Sequence, residues 1–258
     1  MSAPMKFGSE YNFWIKSEKG TDLTRGDGNG KIVKTSKEDI AISPKKSALV
    51  IIDMQNYFLH ERCCDGKLGR EMIPTLIETV KACRKAGMPV VWCNMGFSKS
   101  DVKNIPPAYF YSSYRRDKTF FGQSIGKLDD GSDMGAKLAR GSWNADLFGA
   151  LKEIAEEGIK AGTDTWLWKI RYSGLTGSQP LNTWLEQNEI TTTFFGGVNT
   201  DVCVYGTLAD AYYLGYDAIL VRDLAATGNP EFVTQTAYFA TEMRGWTTDS
   251  KSLLAALE

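Results

Sequence analysis

The sequence predicts an α/β fold built around a mainly parallel β-sheet. From Ser47 onward, short apolar runs typical of buried strands alternate with longer segments that have the apolar spacing of amphipathic helices. The chain has 258 residues, of which 43% are hydrophobic and 24% are charged, which is enough apolar material for one sizeable core and excludes global disorder. We therefore expect one α/β domain over residues 47–258, preceded by a polar, glycine-rich extension over residues 1–46.

The predicted elements follow one another in a regular order. Ser47–Asp53 is a buried strand, because it is apolar up to its last residue. Met72–Ala86 is a helix with one apolar face, and it stops at Gly87, where a second strand, Pro89–Asn94, follows. The later predicted elements are helix Asp146–Glu157, strand Thr163–Lys169, helix Pro180–Asn188, strand Thr191–Gly197, helix Asp201–Leu214, strand Asp217–Arg222 and helix Pro230–Arg244.

Residues 95–140 lack strong periodicity. A loop of that length in a compact α/β domain usually has a function, so we interpret this segment as a lid-like insertion over a functional site. The aromatic residues of this segment are expected to pack the lid or to form a subunit interface, with substrate contact as the alternative. They are Tyr109, Phe110, Tyr111, Tyr114, Phe120 and Phe121.

Charge and composition exclude several classes of partner. With 30 Lys and Arg against 31 Asp and Glu, the chain shows no sign of a nucleic-acid partner. Its apolar runs are far shorter than the roughly 18–20 residues that a membrane helix needs, so we expect a cytoplasmic protein with no membrane partner. We expect a homo-oligomer that acts on a small molecule.

The cysteine and histidine content bears on metal sites. Five cysteines without CxxC spacing indicate neither a disulfide framework nor a zinc site. The single histidine, His60, excludes a histidine-rich metal cluster, and we expect it to line a pocket or lie at the surface. We therefore expect a protein with no metal and no cofactor.

Three residues with useful chemistry lie where predicted strands end. Asp53 ends the first strand, Lys169 ends the strand Thr163–Lys169, and Cys203 lies in the first turn of the helix after Thr191–Gly197. Ligands of parallel sheets bind beyond the carboxyl ends of the strands. The sequence therefore predicts a carboxylate, an ammonium group and a thiol in one crevice.

These groups suit attack on an amide or a related carbonyl. The start of a helix and the charge of Lys169 are expected to favour the thiolate of Cys203. Asp53 is a candidate to accept the thiol proton and return it to a leaving group, in place of a histidine. The glycine-bearing turn Gly196–Cys203 offers backbone amides to a developing oxyanion. For each residue alone, a structural role is the simpler reading, and only their common location favours catalysis.

Residues after the lysine are candidates for substrate binding. Arg171 and Tyr172 follow Lys169 after Ile170, and a guanidinium matches a carboxylate or ureido group through paired hydrogen bonds. Gln55, two residues after Asp53, completes the candidate substrate-binding set.

Three motifs carry a resemblance to a known family. Asp53-Met-Gln after an apolar strand, Lys169-Ile-Arg-Tyr-Ser-Gly, and Gly197-Val-Asn-Thr-Asp-Val-Cys resemble the isochorismatase-like cysteine hydrolases. The likeness runs from Ser47 to the C-terminus. Within that superfamily, Gly141-Ser-Trp-Asn, the KxRYSG form of the lysine motif, Pro230-Glu-Phe and Gly245-Trp246 look most like the ureidoacrylate amidohydrolases.

The resemblance implies a doubly wound, three-layer fold and a set of site roles. It implies that Asp53 is the general base and acid, that Lys169 stabilises charge, and that Cys203 is the nucleophile. It further implies a cis peptide bond at Val198–Asn199 and an oxyanion hole formed by the backbone amides of Asn199 and Cys203. The function that follows is a metal-independent amidohydrolase that acts on a small ureido compound or carboxamide through a thioester. The alternatives are a vinyl-ether or ester hydrolase and a non-catalytic binding protein on the same fold.

Overall fold

A computed structural model describes residues 3–177 and 180–258, and within these residues the strands form two β-sheets. The strands are β1 (Met5–Gly8), β2 (Phe13–Ser17), β3 (Gly20–Asp22), β4 (Lys31–Val33), β5 (Ile40–Ile42), β6 (Ser47–Ile52), β7 (Val90–Met95), β8 (Asp164–Lys169), β9 (Thr192–Val198), β10 (Asp217–Ala226) and β11 (Trp246–Thr248). The helices are α1 (Asn56–Leu59), α2 (Lys67–Glu71), α3 (Ile73–Lys85), α4 (Lys99–Lys103), α5 (Pro107–Asp117), α6 (Leu151–Ala161), α7 (Pro180–Gln187), α8 (Tyr205–Tyr213), α9 (Glu231–Glu242) and α10 (Ser250–Leu257).

The larger sheet confirms the predicted fold class. Its strand order is β11-β10-β9-β6-β7-β8, and all of its neighbouring strands are parallel. From β6 the chain winds outward on one side through β7 and β8, and then on the other side through β9, β10 and β11. The fold is therefore doubly wound, and its switch point lies between β6 and β9, where ligands of such sheets bind.

The register of this sheet aligns the strand ends that carry the candidate site. Ile52 at the end of β6 pairs with Gly197 of β9 and with Cys93 of β7. Met95 at the end of β7 pairs with Lys169 at the end of β8. Gly197 has φ +117, and a Cβ there would lie 2.0 Å from the carbonyl oxygen of Ile52, so β9 requires glycine at this position.

The helix predicted at Asp146–Glu157 begins later than expected, at Leu151. The preceding residues are extended, because they pair with the segment that follows β6. The amide of Asn56 donates to the carbonyl of Asp146 at 2.8 Å, and the amide of Phe148 donates to the carbonyl of Met54 at 2.9 Å. These contacts fix the chain beyond β6, and they hold residues 146–148 outside the helix although their sequence pattern is helical.

The lid-like segment contains secondary structure that the sequence analysis did not predict. Helices α4 and α5 lie within residues 95–140, and none of the residues of α5 is fully buried. A helix without a buried apolar stripe gives little periodic signal. No helix in residues 3–177 or 180–258 is both long enough and apolar enough to span a membrane.

The residues predicted as an extension carry the second sheet, with the strand order β1-β2-β3-β5-β4. A buried ion pair between Arg25 and Asp217 joins this sheet to the start of β10. Asp217 also accepts hydrogen bonds from the indole of Trp14 at 2.8 Å and from the hydroxyl of Thr192 at 2.7 Å. One carboxylate thus links the N-terminal sheet to two strands of the large sheet.

This anchor predicts a large loss of stability when Asp217 is removed. Asp217→Ala leaves the buried guanidinium of Arg25 without its partner, so the free energy of unfolding should fall by about 3–5 kcal/mol. Asp39→Ala is the control, because the Lys34–Asp39 pair is largely exposed and should contribute no more than about 1 kcal/mol. Urea unfolding measures both variants. An Asp217→Ala protein no less stable than Asp39→Ala would contradict the anchoring role.

Candidate active site

The side chains of Asp53, Lys169 and Cys203 meet at the carboxyl edge of the large sheet. The Nζ atom of Lys169 lies 2.8 Å from Oδ2 of Asp53, and the thiol of Cys203 lies close enough to interact with both groups. Asp53 and Lys169 are fully buried, and Cys203 is only 5% exposed. The structure thus brings together the three residues that the sequence placed at three strand ends.

Backbone contacts hold the two charged groups in place. Asp53 follows β6 with a left-handed φ of 53°, and its Oδ1 accepts a hydrogen bond from the amide of Met95 at 2.8 Å. Lys169 donates to the carbonyls of Arg171 at 3.1 Å and Tyr172 at 3.0 Å. The carboxylate is therefore tied to the end of β7, and the ammonium group is tied to the loop after β8.

Burial and mutual attraction set the charges of this pair. Burial raises the pKa of Asp53, and although the ammonium of Lys169 acts in the opposite direction, the pKa stays above its ordinary value of 3.8. Burial by itself lowers the pKa of Lys169, but Asp53 and Cys203 outweigh it and raise that pKa above 10.5. Lys169 is therefore protonated at neutral pH.

Cys203 lies in a π-helical turn, Thr200–Val204, that leads into α8. Burial raises the pKa of its thiol to about 12, although Lys169 acts to lower it. The expectation that Lys169 would favour the thiolate is not met in the free protein, because the loss of hydration and the charge of Asp53 outweigh the effect of the ammonium group. The thiol is protonated at neutral pH, so a nucleophilic Cys203 needs a base, and the carboxylate of Asp53 lies beside it.

Two adjoining cavities lead to Cys203. The inner cavity, which Cys203 lines, has a volume of about 10 Å³, which is room for about one water molecule. The outer cavity has a volume of about 430 Å³. Phe58, Arg116 and Asn199 line both cavities and separate one from the other.

The candidate oxyanion hole lies at this partition. The Val198–Asn199 peptide bond is cis, as the resemblance implies. The carbonyl of Asn199 accepts hydrogen bonds from the amides of Val202 at 3.1 Å and Val204 at 3.2 Å, so the π-helical turn folds back on this residue. That the amides of Asn199 and Cys203 bind an oxyanion remains a prediction.

Gln55 does not have the substrate-binding position that was expected of it. Its side chain is fully buried; it donates to the carbonyls of Met95 at 2.8 Å and Ala145 at 2.6 Å, and it accepts from the amide of Met95 at 2.9 Å. These backbone contacts use both ends of the amide. Gln55 therefore positions Met95, the residue whose amide also binds Asp53.

Of the other two candidates, Tyr172 lines the inner cavity and Arg171 does not. The guanidinium of Arg171 lies 5.7 Å from the ring centroid of Tyr109 and donates to the carbonyl of Ile170 at 2.7 Å. The guanidinium of Arg171 thus packs on the ring of Tyr109 and is not part of the inner-cavity lining. The expected contact between Arg171 and substrate is not supported by this position.

A second cation faces the site in addition to Lys169. It is Arg116 at the end of α5, which was not predicted from the sequence. Its only signal was a pair of arginines in a segment without periodicity. Phe121, one of the lid aromatic residues, also lines the inner cavity, whereas Phe110 and Tyr114 line a separate apolar groove at the surface.

His60 lies outside the site. Its ring packs against Trp143 with the ring centroids 5.0 Å apart, and its Nδ1 accepts a hydrogen bond from the amide of Arg62. Within the ranges that the structure describes, no group of three or more His, Cys, Asp and Glu side chains is arranged to hold a metal ion.

The protonated thiol predicts a distinctive alkylation profile. Because iodoacetamide reacts with the thiolate, the rate at Cys203 should rise about tenfold per pH unit and show no plateau between about pH 6 and pH 9. The urea-unfolded protein is the control, and its cysteines should level off near pH 8.5 to 9. Peptide mass spectrometry measures the rate at this one residue. A plateau below pH 8 in the folded protein would contradict the raised pKa.

Comparisons with known proteins agree with this fold. A family model described as the isochorismatase domain matches residues 47–252. A cysteine hydrolase from Pseudomonas syringae pv. phaseolicola superimposes with a TM-score of 0.65 at 18% identity, covering 88% of this chain and 96% of that chain. An N-carbamoylsarcosine amidase from Thermoplasma acidophilum gives a TM-score of 0.58 at 24% identity, covering 80% of this chain and 96% of that chain. A nicotinamidase from Bacillus subtilis gives a TM-score of 0.59 at 22% identity, covering 79% of this chain and 99% of that chain. These structures share the fold, and because the family model matches most of the chain, the chain belongs to the isochorismatase family.

Proposed function

We propose that this protein is a cysteine amidohydrolase that cleaves a C–N bond of a small ureido compound or carboxamide through a thioester intermediate. The observation that carries the proposal is the buried Asp53–Lys169 pair with the buried Cys203 thiol beside it. A carboxylate beside a protonated thiol supplies a base for the nucleophile, and an ammonium group stabilises the negative charge that forms.

The first half of the reaction forms the thioester. Asp53 takes the proton of the Cys203 thiol, and the sulfur attacks the carbonyl carbon of the substrate. The electron pair of the C=O bond moves to oxygen, and the backbone amides of Asn199 and Cys203 hold this oxyanion. When the oxyanion collapses, the C–N bond breaks, and Asp53 returns the proton to the nitrogen so that ammonia or an amine leaves.

The second half releases the acid. Asp53 takes a proton from water, and the resulting hydroxide attacks the thioester carbon. The C–S bond then breaks, and Cys203 leaves as a thiolate beside Lys169. The thiolate regains its proton from Asp53. The same carboxyl group therefore serves as base and acid in both halves, and its raised pKa brings it closer to the working pH.

Two alternatives compete with this proposal. A vinyl-ether hydrolase of the same fold would not depend on the Cys203 sulfur, an ester hydrolase would release an alcohol in place of ammonia or an amine, and a binding protein would turn over nothing. The names of the amidase from T. acidophilum and the nicotinamidase from B. subtilis, both of which describe C–N hydrolases, support the amidohydrolase. The buried base beside the thiol argues against a binding protein, because burying charged groups without a function is costly.

Turnover of amides should depend on the sulfur and on the carboxylate. In a screen of ammonia release from ureido acids, carbamates and primary amides, Cys203→Ser and Asp53→Asn should each lower kcat/KM at least about a thousandfold. The double variant should be scarcely worse than Cys203→Ser, because members of one catalytic unit are not additive. Cys83→Ser is the control, since Cys83 is a buried thiol on α3 away from the site. Wild-type turnover by Cys203→Ser would rule out the cysteine mechanism.

The pH profile should report the ionisation of Asp53. Activity needs the carboxylate as a base in the free enzyme, so kcat/KM should fall as the pH falls through a pKa that lies above 3.8. The ammonium of Lys169 lowers the pKa of Asp53, so Lys169→Met should move this acid limb to higher pH as well as reduce the rate. Stopped assays from about pH 4 to pH 9 measure the acid limb in the wild type and in Lys169→Met. An acid limb that stayed in place in Lys169→Met would exclude Asp53 as the titrating base.

A further inference from the structure

Arg116 lies at the junction between the two cavities. It is in the last turn of α5 and lines both the inner cavity, with Cys203, and the outer cavity. Its charge interacts with the side chains of Cys203 and Tyr172. A substrate that extends from the outer cavity to the thiol therefore passes a wall that includes this guanidinium.

The guanidinium of Arg116 has no carboxylate within ion-pair distance among the residues that the structure describes. The nearest acidic neighbours along the chain and across the cavity are already paired. Asp117 binds Lys137 at 2.7 Å, and Asp65, which lines the outer cavity, binds Arg70 at 2.9 Å. The positive charge of Arg116 is therefore available to a ligand.

Buried contacts fix the turn that carries Arg116. Lys137 is fully buried, and its ammonium donates to Oδ1 of Asp117 at 2.7 Å and to the carbonyl of Thr119 at 3.0 Å. The hydroxyl of Tyr57, a residue of the inner cavity, donates to the other oxygen of Asp117. The end of α5 is thus attached to the core, so the backbone that carries the exposed Arg116 side chain is held beside both cavities.

We propose that Arg116 binds a carboxylate of the substrate and selects anionic substrates over neutral ones. This inference rests on the proposed function and narrows its substrate class to acids that carry a ureido or amide group. The inner cavity is small, so a substrate whose carbonyl reaches Cys203 extends from it toward the outer cavity, and Arg116 lines both. A guanidinium presents parallel N–H donors that match the two oxygens of a carboxylate.

The position of the cation also constrains the length of the substrate. Because Arg116 lines the same small cavity as Cys203, the carboxylate and the carbonyl under attack must be joined by a short spacer. A short ureido acid meets this requirement. A neutral primary amide of the same length reaches the thiol but leaves the guanidinium without a partner.

The test compares matched acids and neutral analogues. The substrates are ureido acids with one to four methylene groups between the ureido group and the carboxylate, each paired with the analogue in which a carboxamide replaces that carboxylate. In the wild type, kcat/KM for one of the shorter acids should exceed that of its neutral partner at least about tenfold. Arg116→Gln should remove this preference by lowering kcat/KM for the acid about 10- to 100-fold, while the neutral analogue changes little.

Two further variants separate recognition from structure. Arg116→Lys keeps the charge without the planar fork and should restore part of the preference for the acid. Arg115→Gln is the control, because Arg115 precedes Arg116 on α5 but lines neither cavity. An equal loss for acid and neutral substrates in Arg116→Gln, or a wild-type preference for the neutral analogues, would overturn the proposal.

A binding measurement keeps this test separate from the proposed function. In Cys203→Ser, titration calorimetry should detect binding of a short ureido acid with a Kd at or below about 10 mM, and the added Arg116→Gln change should abolish it. Selective binding without turnover by the wild type would reject the amidohydrolase and keep the anion site. Turnover of neutral amides without any selectivity for acids would keep the amidohydrolase and reject the anion site. Failure of every acid to bind would also overturn the inference.

Discussion

The buried ion pair between Asp53 and Lys169 is the interaction on which the rest of the site depends. Removing two charges from water costs several kcal/mol per ion, and only close contact and further hydrogen bonds offset that cost. The amide of Met95 and the carbonyls after β8 provide these bonds. Cys203 then lies against a charged pair that cannot rearrange freely, so the carboxylate of Asp53 is the acceptor that is in place for the thiol proton.

The sheet explains why the pair forms at this place. In a parallel sheet, the residues that follow neighbouring strands emerge at one edge, and the register pairs Ile52 with Gly197 and Met95 with Lys169. Buried Gln55 strengthens this edge by binding both polar backbone groups of Met95. The geometry of the candidate site is thus a consequence of strand register, supported by one amide side chain.

The central strands and the three site residues could be predicted from the sequence, because buried parallel strands are continuously apolar and their end residues stand out. The N-terminal sheet could not, since its strands have only three to five residues and their packing depends on Asp217, nearly two hundred residues away from Arg25. Helix α5 lacked a buried stripe, so Arg116 had no predicted location. The protonated state of Cys203 was also missed, because burial depends on the packed structure.

The central claim is that acyl transfer proceeds through a thioester on Cys203. It is tested most directly by adding hydroxylamine to the reaction of several amides that share one acyl group and differ in the amine released. A common thioester predicts the same ratio of hydroxamate to acid for all of them, because each reaches the same intermediate before hydroxylamine or water attacks. A ratio that changes with the leaving amine would contradict the account.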